Sequence, residues 1–260
     1  LADTIDVVPA NTTATRYELD LGEIGRITTG ELRLLSNTVF GVVGGPVLDL
    51  GDASVAAVGS NVTVNTDIVT TGNFATITAG GAGATTMSLD NVIIDAHRIA
   101  LSGEVSGGDV TLISRDADGG GYGVDLARVT SSLVDPLDSL IADAQQGILV
   151  GELVSESDVT LLSNSGAIHG ASIPSGQYHI SAHTAVLSAA TGIGPLRTDI
   201  DTLDATNSGS GSIVIEDTAD LNVRRAVNLS TAPDAQIELR AEDDIVLLKV
   251  ALGGANMYYD

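Results

Sequence analysis

Ile213-Val-Ile215, Leu221-Asn-Val223, Val227-Asn-Leu229, Ile237-Glu-Leu239 and Ile245-Val-Leu247 follow one another every six to ten residues. Each is apolar–x–apolar, the pattern of a short strand whose outer two side chains face a core while the middle one faces water. Asp217, Asp220, Asn222 and Asp234 fall between or within these triplets and read as outward or corner positions. A two-sheet sandwich would need longer strands and hairpin turns. The chain contains no Asn-Gly, and Asp-Gly occurs only at Asp118-Gly119, so hairpins are poorly supported.

A longer period runs outward from this stretch. Asp109-Val-Thr-Leu-Ile-Ser114 matches Asp158-Val-Thr-Leu-Leu-Ser163 at an offset of 49 residues. The inner aliphatics Val64, Leu89, Leu112, Leu161, Leu187, Ile213 and Ile237 are spaced by 25, 23, 49, 26, 26 and 24 residues, and the long step is about two of the others. A repeat near 25 residues built from short strands predicts an all-β chain, a right-handed parallel β-helix or β-solenoid with roughly 25 residues per coil. One coil cannot bury its own strands, but coils laid about 4.8 Å apart pair their main-chain groups and stack like residues in rows. Two regions follow: residues 1–59 as weakly repeated coils or a cap, and 60–260 as the parallel β-helix with a loop and helix insertion at 116–147.

The insertion rests on Asp135-Pro136 followed by Leu137, Leu140, Ile141 and Ala144, then Gly147. Asp135 suits an N-cap, Pro136 the first helical position, and the apolar spacing one helix face, so one short helix is expected near 135–146. It reads as a lid that covers the core or a side face, with a binding protrusion as the alternative.

Composition agrees with a thin aliphatic core. Hydrophobic residues are 43% of the chain but aromatics only 3%, so Val, Ile, Leu and Ala must fill the interior. Acidic residues outnumber basic ones 34 to 11, a net charge of −23 that repels nucleic-acid backbones and anionic lipid surfaces. No uncharged apolar run is long enough to span a bilayer; Ile245 to Ala255 is short and carries Lys249, so no membrane insertion is expected. The absence of cysteine excludes disulfides and thiolate metal sites. A chain beginning at Leu1 reads as a processed form or a fragment.

Thr184-Ala-Val-Leu-Ser-Ala-Ala-Thr-Gly-Ile-Gly194, then Pro195-Leu-Arg-Thr-Asp-Ile-Asp-Thr-Leu-Asp-Ala205, then Gly211-Ser-Ile-Val-Ile-Glu216 resembles the repeats of large filamentous haemagglutinin-like bacterial adhesins. The similarity is best over 158–247. It implies a secreted right-handed β-helix, exported through an outer-membrane partner and displayed on the cell surface. No functional residue of that family maps onto this chain.

Few residues suggest chemistry. Asp116, Asp118 and Asp125 lie in the glycine-rich run Asp116-Ala-Asp-Gly-Gly-Gly-Tyr-Gly-Val-Asp125 and could supply oxygens to Ca²⁺, the one cofactor considered, although the EF-hand pattern is incomplete. A solvated turn is the alternative. His179 and His183 are four apart in a strand-like run, about 13 Å when extended and too far for one zinc ion. They read as surface or corner histidines, and His97 and His169 as isolated ones. Acid pairs are too abundant to single out a glycosidase, and no nucleophile elbow, phosphate loop or dinucleotide fingerprint occurs. The expected function is therefore a non-catalytic extracellular stalk or attachment segment of a secreted bacterial surface protein. Its expected partners are host or neighbour-cell surface molecules, or copies of itself in a self-assembling filament or sheath, and not nucleic acid. A β-helix enzyme acting on glycans is the third reading.

Overall fold

The computed structural model describes residues 4–259 apart from 8–15, 20–30, 37–38, 43–47, 51, 59–61, 65–67, 71–73, 81–85, 90, 118–120, 132–135 and 254–255. Side-chain surroundings are described over 88–253, except at 90, 118–120, 131–135 and 252. Among these residues the regular secondary structure is all strand, with no helix, and the strands join one sheet in which every pairing is parallel.

The expected right-handed β-helix or β-solenoid is corrected here: the parallel strands run round one axis and the sheet closes as an eight-strand parallel β-barrel. Sequence spacing reports how far along the chain a strand's partner lies. Closure depends on strand tilt and on the stagger of the hydrogen-bond register, which spacing does not record. The register offsets are also less regular than a 25-residue repeat, from 18 at Ile94↔Leu112 to 30 at Thr111↔Ile141.

Rows of like side chains fill the interior. Ile148, Ile168, Ile193, Ile213 and Ile237 are successive register partners, all at most 1% exposed. Beside them run Val92, Val110, Leu140, Val159, Ala185, Leu203 and Val223, and then Ile94, Leu112, Ala142, Leu161, Leu187, Ala205 and Ala226. Burying each large aliphatic contributes about 1.5–3 kcal/mol, and the rows form one continuous core. Of the sequence anchors, Val64 pairs with Leu89, Leu161 with Leu187 and Ile213 with Ile237. Leu89 instead continues to Gly107, and Leu187 to Ala205, so the seven anchors cross between rows.

The helix expected near 135–146 is likewise corrected. Leu137–Ala144 is a strand whose Leu140, Ala142 and Ala144 lie between Val110, Leu112 and Ser114 on one side and Val159, Leu161 and Ser163 on the other. The 49-residue step is thereby split into 30 (Leu112↔Ala142) and 19 (Ala142↔Leu161). Ala142 is small, and the spacing of Leu137, Leu140, Ile141 and Ala144 suits a helix face as readily as a strand. The period-2 burial wins because two ready strand edges flank the segment. Ile141, which a helix would bury with Leu137, is 41% exposed. Ile141→Thr is therefore expected to change the unfolding free energy by no more than about 0.5 kcal/mol, measured by urea denaturation. A loss of several times that would restore the buried helical face.

Across residue 59, Asp52–Val58 pairs with Phe74–Gly80 and Leu48–Leu50 with Ile68–Thr70. Corners are made where side chains cannot follow. The 17-residue strand Arg98–Ser114 bends at Gly103 and Gly107, with φ of 114° and 125°, and so serves three successive strands: Phe74–Gly80, Thr86–Leu89 and Val92–Ala96.

Candidate functional site

Gly170, Ala171, His179, Pro195, Arg197, Val214, Glu216, Glu238 and Arg240 surround a groove of about 280 Å³ on the outer surface. Its position follows from register. Arg197, Glu216 and Arg240 occupy one row on three successive strands, and Val214 and Glu238 a neighbouring row. Their strand neighbours Leu196, Ile215 and Leu239 point into the core, so alternation turns this row outward.

His179 forms one wall; of the two expected places, surface or corner, it takes a corner just before the strand Ile180–Ala189, and it is 6% exposed. Its Nε2 lies 2.9 Å from the Ala171 carbonyl, to which it donates, and its Nδ1 accepts from the Arg197 backbone N–H at 2.9 Å. Both ring nitrogens are thus used by the main chain. Gly170 has to be glycine, because a Cβ there would lie 2.4 Å from His179 Nε2. His183, by contrast, is exposed, with Nδ1 2.7 Å from Asp201. His169 Nδ1 lies 3.0 Å from the Gly194 carbonyl, and its ring meets Tyr122 edge-on.

The residues considered for Ca²⁺ are separately employed. Asp116 is fully buried and paired with Arg98 and, at 3.3 Å, with His97. Asp125 accepts the Ala127 N–H at 3.0 Å from within the strand Tyr122–Ser131. Asp118 lies outside the described residues, as does the proposed cap Asp135. Among the described residues no three His, Cys, Asp or Glu side chains gather at metal-binding distance.

Other buried carboxylates bind neighbouring strands. Asp204 receives Arg224 at 2.9 Å and Arg225 at 2.6 Å. Asp95 pairs with Arg115, while its Oδ1 is buried without a partner. Asp217 is fully buried and accepts the Thr198 hydroxyl at 2.6 Å, the Ile200 N–H at 3.2 Å and the Ala219 N–H at 3.0 Å.

Burial holds the Asp217 carboxyl above the ordinary aspartate range; the three hydrogen bonds pull it back only in part. A raised carboxyl pKa means that the folded state takes up a proton before the unfolded state does. Burial of the charge therefore opposes folding at neutral pH, and this cost is relieved as pH falls through the raised value towards about 4. Urea midpoints across that range should show the wild type gaining stability relative to Asp217→Asn on acidification. A flat or reversed difference would place the Asp217 pKa at or below the ordinary value.

No family model, curated protein or solved structure matches this chain. The groove is therefore read from its own geometry. Sequence reasoning passed over it because its lining comes from five separate stretches. The available signal was Arg197, one of only 11 basic residues, standing two places after Pro195.

Proposed function

We propose that this chain is a non-catalytic structural and adhesive segment of a secreted bacterial surface protein, presenting its outward side chains to host or neighbour-cell molecules. The observation that carries this reading is the use made of buried polar chemistry. Asp116, Asp204, Asp217, His179, Asn207 and Asn228 are each engaged by the strands and turns around them. A catalytic acid or base has to be poised toward a substrate with capacity to spare. Here that capacity is spent on holding adjacent strands. The net charge of −23, the lack of cysteine and the repeat resemblance over 158–247 support the same reading.

Beads coated with the purified chain test it. Retention on epithelial and bacterial cells should exceed that of beads carrying an equally acidic globular protein, and free chain should compete it away. Retention equal to the control would remove the adhesive role. Saturable cleavage of any member of a glycan panel would overturn the non-catalytic one.

A further inference from the structure

The groove beside Pro195 holds two opposite charges that the fold leaves unused. Arg197 and Glu216 are register partners on neighbouring strands, about 4.8 Å apart along the hydrogen-bonding direction. Among the described residues, however, no carboxylate lies within ion-pair distance of the Arg197 guanidinium, and no side chain engages the Glu216 carboxylate. The next residue of the row, Arg240, turns aside to Glu238 at 2.5 Å. In a chain with 34 acidic residues to 11 basic ones, a half-buried arginine without a carboxylate is the exception. Asp116, Asp95 and Asp204 all have arginine partners. Ala171, Pro195 and Val214 add apolar surface to the lining of the same groove.

We propose that this groove binds a small zwitterion of the α-amino-acid type with an aliphatic side chain. The ligand carboxylate meets the planar fork of Arg197, which suits two-point contact. Its ammonium faces Glu216, and its side chain packs on Pro195 and Val214. At about 280 Å³ the groove has room for a leucine-sized molecule and lies at the lower limit of small-ligand sites. Glu216 and Glu238 at the rim, within a strongly negative molecule, repel polyanions. The interior of a peptide chain lacks both charges. The assignment goes beyond the adhesive reading and stands whether or not that reading holds.

An NMR titration of the full chain with L-leucine tests it, with a dissociation constant expected in the millimolar range. 4-Methylpentanoate lacks the ammonium and 3-methylbutylamine lacks the carboxylate; each should bind about tenfold more weakly or worse. Arg197→Gln should abolish saturable shifts. Arg197→Lys, which keeps the charge without the fork, should weaken binding, and Val214→Trp, which fills the groove, should block it, both with unchanged thermal unfolding. Should Arg197→Gln fail to fold, Val214→Trp and the two analogues decide. Absence of saturation up to roughly 20 mM leucine, a range that covers millimolar affinity, would overturn the site. So would wild-type binding by folded Arg197→Gln or Val214→Trp. Equal binding of 4-methylpentanoate and leucine would overturn the zwitterion assignment.

Discussion

Asn207→Ala is expected to lower the unfolding free energy by about 3–5 kcal/mol, read as a fall in the urea midpoint with little change in slope. Asn207 is fully buried in a row made of Ala96, Ser114, Ala144, Ser163, Ala189, Asn207 and Asn228, successive partners at the end of their strands. Its carboxamide oxygen accepts the Gly192 N–H at 3.0 Å. Its nitrogen donates to the carbonyls of Ser210 and Gly211 at 2.8 and 3.1 Å and to Asn228 Oδ1 at 2.9 Å. Asn228 repeats the arrangement one strand on, reaching the Gly211 and Gln236 carbonyls. Alanine would leave the buried Gly192 N–H without an acceptor and take the Asn207 donor from the buried Asn228 Oδ1, each costing about 1–3 kcal/mol, and would add a cavity.

The same row predicts partial rescue. Ser114 and Ser163 stand in it and donate to the His97 and Gln146 carbonyls at 2.8 and 2.9 Å. Asn207→Ser should therefore recover part of the loss, because its hydroxyl can reach a corner carbonyl. Asn207→Asp should not, since a carboxylate would confront acceptors at Ser210, Gly211 and Asn228. A loss below about 1 kcal/mol in Asn207→Ala would mean that the corner is held by its backbone alone.

Gly107→Ala is expected to be worse, costing at least about 4 kcal/mol or yielding no folded protein. Gly107 lies between Leu89 and Leu137 in register and has φ of 125°, a region that L side chains rarely enter. A Cβ there would sit 2.2 Å from the Leu89 carbonyl oxygen and 2.8 Å from its carbon. That contact is with the main chain of the paired strand, so relief requires pulling the pair apart. Gly121→Ala is the control. It has a similar φ of 113° but nothing within 4 Å of the added carbon, so only the conformational cost of about 1–2 kcal/mol should appear. Equal effects at the two positions would show that φ alone governs this corner.

Much of the strand pattern was legible in the chain. Ile213-Val-Ile215, Leu221-Asn-Val223 and Ile237-Glu-Leu239 place their outer residues in the core and their middle ones outside it. Where a small residue carries an inward position, as at Ala142, the spacing of its larger neighbours fits a helix as well as a strand, and the sequence points the wrong way. The groove was illegible for a different reason. Arg197, Glu216 and Val214 meet only because their strands are neighbours, and their failure to form an ion pair depends on side-chain directions. The aspartates of the glycine-rich run looked free in sequence, yet Asp116 is taken by Arg98, 18 residues earlier.

By itself the sequence determined that most of the chain would be strand, that the outer aliphatics of triplets such as Ile213-Val-Ile215 would face inward while Val227-Asn-Leu229 departs from the pattern, and that corners would fall at glycine and small polar residues. Those properties are local: alternation and backbone freedom are set by each residue and its nearest neighbours. Only the tertiary structure decided which strands pair, by how many residues they are offset, how the sheet closes and which charges are left over at its surface. These depend on tilt and stagger summed over the whole sheet, which no short stretch of chain contains.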